Sequence, residues 1–185
     1  MAKHKSQNSN TKSDKELTVG KLKKLVDGHV LQAALGTSIL YFNCLEFDLI
    51  IAIENLMPDV NVEYTHRLLG GDNFKTLVSK FNRIFLFRIK DKILIKELFS
   101  LSKELHSINE QRNQAFHSFW AYGEEDTLYR YKFNTRAKVG NLLFQANSKT
   151  TINEIHNFNK RLSSAITDVR RLKEKAVLFL INKPE

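Results

Sequence analysis

Apolar residues recur at helical spacing through most of this chain, and four long windows carry the signal. Between Asp91 and Trp120, two interleaved heptad rows read Leu94, Leu101, Ile108, Ala115 and Leu98, Leu105, Arg112, Phe119. That is the buried stripe of a bundle helix, with Asp91 as its cap. An earlier helix spans about 29–57, with rows Leu35, Phe42, Leu49, Leu56 and Ile39, Glu46, Ile53, and stops before Pro58. A third, over 73–88, presents Phe74, Leu77, Phe81, Ile84 and Phe85 behind Asp72 as expected N-cap. The last begins near Thr151, whose spacing to Glu154 is that of a capping box, with Ser148 or Thr150 as alternative caps. Its rows are Ile155, Leu162, Val169, Ala176 and Phe158, Ala165, Leu172, Phe179. Four helices with such seams predict an all-α fold, an antiparallel up-down bundle.

Elsewhere the helical period breaks. Thr127 to Phe133 alternates, Tyr129, Tyr131 and Phe133 against Leu128, Arg130 and Lys132, which predicts a strand. Paired with residues near 118–122, it forms a small β-hairpin appended after the third long helix. A short strand is expected around 142–144. Residues 58–71 read as a connection ending in Gly70 and Gly71, and 16–26 as a short basic helix interrupted by Gly28.

Composition bounds the picture. A chain of 185 residues suits one domain, and seven Gly with two Pro leave long helices unbroken. The expected organisation is a disordered basic arm over 1–15 and a single helical domain over 16–183. Cys44 is the only cysteine, so no intrachain disulfide exists. Its apolar neighbourhood predicts a buried thiol in a reducing compartment. No run of 18 consecutive apolar residues appears, and the basic N-terminus lacks a secretory hydrophobic core; the expectation is a cytoplasmic protein with no membrane partner. The net charge is +9, and residues 1–24 hold seven Lys against Asp14 and Glu16. Such charge favours a polyanionic partner, RNA or other nucleic acid before membrane, with a merely solubilising tail as the alternative.

Candidate chemistry centres on Arg112, which stands where a leucine is expected. A buried guanidinium needs an acidic partner, a bound anion or an opening to water. Glu46 is likewise misplaced on its own seam, so the two invite a buried pair in which Glu46 positions Arg112; the alternative is a seam at the bundle edge. There is no Gly-rich phosphate loop and no nucleophile elbow, and the six His are not spaced as a metal site, so neither metal nor cofactor is expected. His117 follows Arg112 by five positions, about 140° and 7.5 Å on an ideal helix. Either the helix loosens near His117, or the two act across an interface with a second copy, where a two-fold axis gathers two such pairs in one cleft. Such a cleft suits metal-independent RNA cleavage. The imidazole would serve the 2′-hydroxyl or the leaving 5′-oxygen, the guanidinium would hold the phosphate, and Asn113 would assist. The plainer alternative is a structural arginine and a surface histidine. Arg130 and Lys132 among their aromatics, and Arg170 and Arg171 on the exposed side of the last helix, are candidate RNA contacts. Equally, the aromatics cap the helical core.

The segment INEQRNQAFHSFW, 108–120, resembles the signature of the HEPN superfamily: Arg, a short spacer and His late in a long helix, with Asn directly after the Arg. The general resemblance covers about 28–180; its specific part is Arg112 to His117. It implies an all-α bundle, homodimerisation and, in active members, endoribonuclease activity in toxin–antitoxin or antiviral defence systems, with a cognate antitoxin or defence protein as partner. Carried over, Arg112 and His117 are the catalytic pair and Asn113 the polar residue within the motif. Glu46, in CLEFDLI, matches only an acidic tendency of the earlier helix. One toxin branch carries Tyr two residues after the His; this chain has Phe119 there and is not assigned to it. Relatives lacking the full motif bind RNA or protein without cutting, so a non-catalytic RNA-binding or protein-interaction module is the competing expectation. A small-molecule nucleotide binder is a third.

Overall fold

The computed structural model describes the backbone of residues 10–116, 118–122, 128–133 and 144–182. Side chains are described for 28–116, Trp120, Tyr129 and 151–182. The elements are α1 (Asn10–Leu56), α2 (Val62–Leu69), α3 (Phe74–Arg88), α4 (Lys92–Phe116), β1 (Ser118–Tyr122), β2 (Leu128–Phe133), β3 (Phe144–Thr150) and α5 (Ile152–Ile181). The four long helices are those the apolar periodicity predicts. Their stripes meet in one core: Leu45, Leu49, Ile53 and Leu56 of α1, Phe81 and Phe85 of α3, Leu98, Leu105 and Ile108 of α4, Leu162, Val169 and Ala176 of α5.

The helices form a ring in which α1 touches α3 and α5, and α4 touches the same two. Cross-helix contacts give their directions. Glu97 pairs with Lys175 and Glu104 with Arg161, so α4 and α5 run antiparallel. The short link from Arg88 to Lys92, with Asn82 bonded to Ser102, does the same for α3 and α4. In contrast, Ala34 meets Asn159 and Asp48 meets Arg170, numbers that rise together, so α1 is parallel to α5. Phe42 packs against Phe74 with the rings tilted by 43°, and Asp59 beyond α1 reaches Arg88, so α1 is parallel to α3 as well. A strict up-down order is therefore corrected at α1. The cause is α2, which carries the chain back before α3 begins.

Within the connection expected over 58–71 lies α2. It is eight residues long and buries only Thr65 and Leu69, too little for a periodic signal. Its cap is clear, however: Asn61 Oδ1 accepts from the N–H groups of Glu63 and Tyr64. The cap of α3 is Asn73, bonded to the Thr76 N–H, rather than Asp72, which pairs with Lys80 instead. At α5 the Thr151–Glu154 capping box is present.

Three further expectations change. The α1 backbone is one helix of 47 residues that passes through Gly28 without a break. A mid-helix glycine costs about 1 kcal/mol relative to alanine and does not by itself end a helix. Residues 1–9 of the expected arm lie outside the described residues. Second, Cys44 is exposed rather than buried. Third, α4 stops at Phe116 instead of continuing to Trp120, because 118–122 pairs with 128–133. The Trp120 indole N–H donates to the Ala115 carbonyl at 2.9 Å, satisfying one of the carbonyls that a helix end leaves open.

Between α4 and α5 the strands make a three-stranded antiparallel sheet in the order β1-β2-β3, more than the two-stranded hairpin expected, with a register shift between Arg130 and Tyr131. Of the strand expected at 142–144, only Phe144 lies among the described residues, as the first of β3. Trp120 joins Leu31, Ala34, Leu35, Ile152 and Ile155 in a second small apolar cluster where α1 passes this end of the bundle.

Gly28–Leu56 is long and apolar enough to cross a membrane by length and composition, which no run of consecutive apolar residues indicated. Here its inner face is filled by α3 and α5. Polar groups seam that face. Ser38 Oγ donates to Asn159 Oδ1 at 2.5 Å, and Asn159 Nδ2 to the Ala34 carbonyl at 2.9 Å, all buried. Asp48, buried, takes the Arg170 guanidinium at 2.9–3.1 Å through both carboxylate oxygens.

Candidate functional site

Arg112 lies in the next-to-last turn of α4, inward of the seam, as its heptad position requires. What receives it is an aromatic face rather than a carboxylate. The guanidinium carbon sits 4.8 Å from the Phe42 ring centroid on α1 and 5.9 Å from that of Phe116, one turn on. Both distances are within cation–π range. Nη1 donates to Asn113 Oδ1 at 3.1 Å, and Nε is buried without a hydrogen-bond partner.

Glu46 is one turn past Phe42 on α1, and half-buried. Burial holds its carboxyl above the ordinary carboxylate value, and the nearby Arg112 charge pulls it part of the way back. The two therefore feel each other, yet among the described residues no ion pair within 4.0 Å includes Arg112. The expected buried pair is in fact a longer-range neighbour relation. Heptad drift accounts for this. A straight helix slips by about 20° per heptad, so along Ile39, Glu46 and Ile53 the row turns from 47% exposed, through half-buried, to fully buried.

His117 lies outside the described residues, as do the side chains of Arg130 and Lys132. By register, Arg130 stands opposite Trp120 and Lys132 opposite Ser118. Arg170 and Arg171 do not stand free on the last helix. Arg170 is held by Asp48, which raises its pKa above the usual arginine value through hydrogen bonding and charge, and Arg171 pairs with Asp168 at 3.0 Å.

Arg161 is a clamp between α5 and α4. Nε donates to Glu104 at 2.8 Å, Nη1 to Gln111 at 2.7 Å and Nη2 to Ser107 at 2.9 Å. Glu104, Ser107 and Gln111 are spaced three and four apart, which places them on one face of α4. That spacing was visible in the sequence, but nothing there says which helix faces it. The groove beside this clamp, about 670 Å³, carries Lys103, Arg161 and Arg171 against Glu97, Glu104 and Asp168. It concentrates no charge of one sign.

A smaller pocket, about 340 Å³, opens on the other side of Arg161 near the end of α4. It is bounded by Leu35 and Ser38 of α1, Gln111 and Ala115 of α4, Trp120 of β1 and Phe158 of α5, among others. Among the described residues no group of three or more His, Cys, Asp or Glu stands ready to hold a metal ion. Comparison with protein-family models, with curated proteins and with solved structures finds no match.

Proposed function

We propose that this chain is a metal-independent endoribonuclease of the HEPN type, acting in the cytoplasm in antiviral defence or as a toxin. Arg112 binds phosphate, His117 is the general acid/base, Asn113 orients the guanidinium, and a second copy completes the site. The supporting observation is the state of Arg112. Its charge rests on the Phe42 ring, its Nε has no protein acceptor, and among the described residues it joins no ion pair. A cation backed by an aromatic face, and paired with no carboxylate among the described residues, attracts an oxyanion, and the RNA backbone offers one at every residue.

The test is product chemistry. Attack by a neighbouring 2′-hydroxyl leaves a 2′,3′-cyclic phosphate and a 5′-hydroxyl, and a single 2′-deoxy substitution at the cut site blocks it. Purified protein in chelator should give those ends. Ends with 3′-hydroxyls, or cutting at the deoxy position, overturn the mechanism.

One observation favours the non-catalytic reading. The outer side of α1 carries Leu40, 66% exposed, and Phe47, 58% exposed, with Cys44 between them on the helix surface. Exposed apolar residues grouped this way mark contact surfaces. If the protein leaves RNA intact while a partner protects Cys44 from alkylation, the interaction-module reading replaces the nuclease.

A further inference from the structure

We propose that the 340 Å³ pocket beside Arg161 is a nucleobase-binding site, which reads one base of the RNA whose phosphate Arg112 holds; the proposal rests on the nuclease reading for its substrate. Three features of the pocket carry it.

The first is its walls. Trp120 and Phe158 supply aromatic surface, and Leu35 of α1 lines it as well. The indole is fixed in place, since its N–H is bonded to the Ala115 carbonyl. A planar heterocycle stacks on such surfaces whatever its identity, because every base has a π-face. At about 340 Å³ the space is at the low end for ligand pockets, enough for a single ring system.

The second is its polar edge. The Gln111 carbonyl oxygen accepts from Arg161, which fixes the orientation of that amide and leaves its NH₂ to donate. The Asn157 amide has no hydrogen bond among the described residues and offers a donor and an acceptor side by side. Side-chain amides pair with base edges through just such donor–acceptor sets. The charged residues of the lining are one of each sign, Arg161, held by Glu104 and Gln111, and Glu154 of the capping box, so the pocket has no excess positive charge to favour a phosphate over a neutral heterocycle.

The third is location. Leu35, Ser38 and Phe42 are spaced three and four apart and follow one side of α1. Ser38 lines the pocket and Phe42 backs the Arg112 guanidinium. The offset along the axis is about 6 Å, from four residues of rise. On α4, Gln111 and Ala115 bracket Arg112 and Asn113 in sequence. Base and phosphate sites thus lie side by side at one end of the bundle.

The experiment uses the full chain and its single tryptophan. Trp120 is at once a wall of the pocket and the only indole, so its fluorescence reports the site alone when tyrosine is not excited. Titration with uridine, cytidine, adenosine and guanosine, all lacking phosphate, should give saturable quenching by at least one, while ribose 5-phosphate gives none. Asn157→Leu, at an exposed helix position, should weaken that binding by about tenfold, the loss of one good hydrogen-bonding edge. Ala115→Leu, which fills the pocket and keeps the backbone carbonyl, should abolish it. Absence of quenching by all four nucleosides, equal quenching by ribose 5-phosphate, or indifference to both variants overturns the proposal. Its failure is separable from that of the nuclease reading. RNA cutting without nucleoside quenching sinks the pocket alone. Nucleoside quenching in a protein that leaves RNA intact sinks the nuclease alone, and Arg112→Ala should lose cutting while still binding the nucleoside.

Discussion

The Arg112 guanidinium on α4 lies over the ring of Phe42 on α1, 4.8 Å from its centroid. This contact lets a cation occupy a seam position without a carboxylate to neutralise it, and a lysine ammonium would not reproduce the planar, multi-donor guanidinium. Arg112→Lys should therefore fold but lose RNA cleavage by about 10–100-fold. Phe42→Leu should lose less, about 3–30-fold, as a cation–π contact is removed while the charge stays. It should also cost about 1–2 kcal/mol of stability from the core, readable in chemical denaturation. Equal cleavage by Arg112→Lys and wild type would show that charge alone is used.

Glu46 yields a prediction with a definite sign. Folding raises its pKa, so between the ordinary value of 4.5 and the raised one the folded chain holds a proton that the unfolded chain has released. Stability contributed at this site is lost as pH climbs through that window. Glu46→Gln removes the loss: thermal melts should coincide with wild type at acid pH, and the variant should melt higher at neutral pH. A variant that melts lower at neutral pH would mean that attraction to Arg112 outweighs the cost of burial.

The Ser38–Asn159 lock joins α1 to α5 inside the core. Asn159→Ala leaves the Ser38 hydroxyl without its side-chain partner and opens a small void. The expected cost is about 2–3 kcal/mol, and Tm should fall by about 5–10 °C. The double variant Ser38→Ala, Asn159→Leu should recover most of this, since removing both partners leaves nothing unsatisfied. Recovery of less than half would place the cost in packing instead.

Arg170 and Arg171 look alike in sequence and should behave differently. Arg170→Ala strands the buried Asp48 carboxylate and should lower thermal stability with little change in RNA affinity per folded molecule. Arg171→Ala breaks only a surface pair with Asp168 and should leave the melt unchanged. A salt-dependent loss of RNA affinity in Arg170→Ala at unchanged Tm would restore it as a phosphate contact.

What the sequence disclosed followed from periodicity. Rows of Leu, Ile, Phe and Val specify four helices because burial selects one face of each, and the misfit of Arg112 and Glu46 was visible on the same ground. Direction and neighbourhood were not. The parallel placement of α1 depends on α2, whose eight residues bury too little to show. The Arg161 clamp and the Ser38–Asn159 lock each join helices across at least fifty residues of sequence, and a polar residue carries no mark of its partner. The burial expected for Cys44 fails because its apolar neighbours Phe42 and Leu45 turn into the core while Cys44 does not. Its own side faces out between Leu40 and Phe47.

The central claim is that Arg112 and His117 together cut RNA. Its most direct test is single-turnover cleavage of one labelled RNA, in chelator, by wild type, Arg112→Ala and His117→Ala with matched circular dichroism. Wild type should cut, and each variant should fall by at least about 100-fold, the loss expected when a phosphate-holding or proton-transferring group is removed. Undiminished cutting by either variant, or loss of wild-type cutting on chelation, would contradict it.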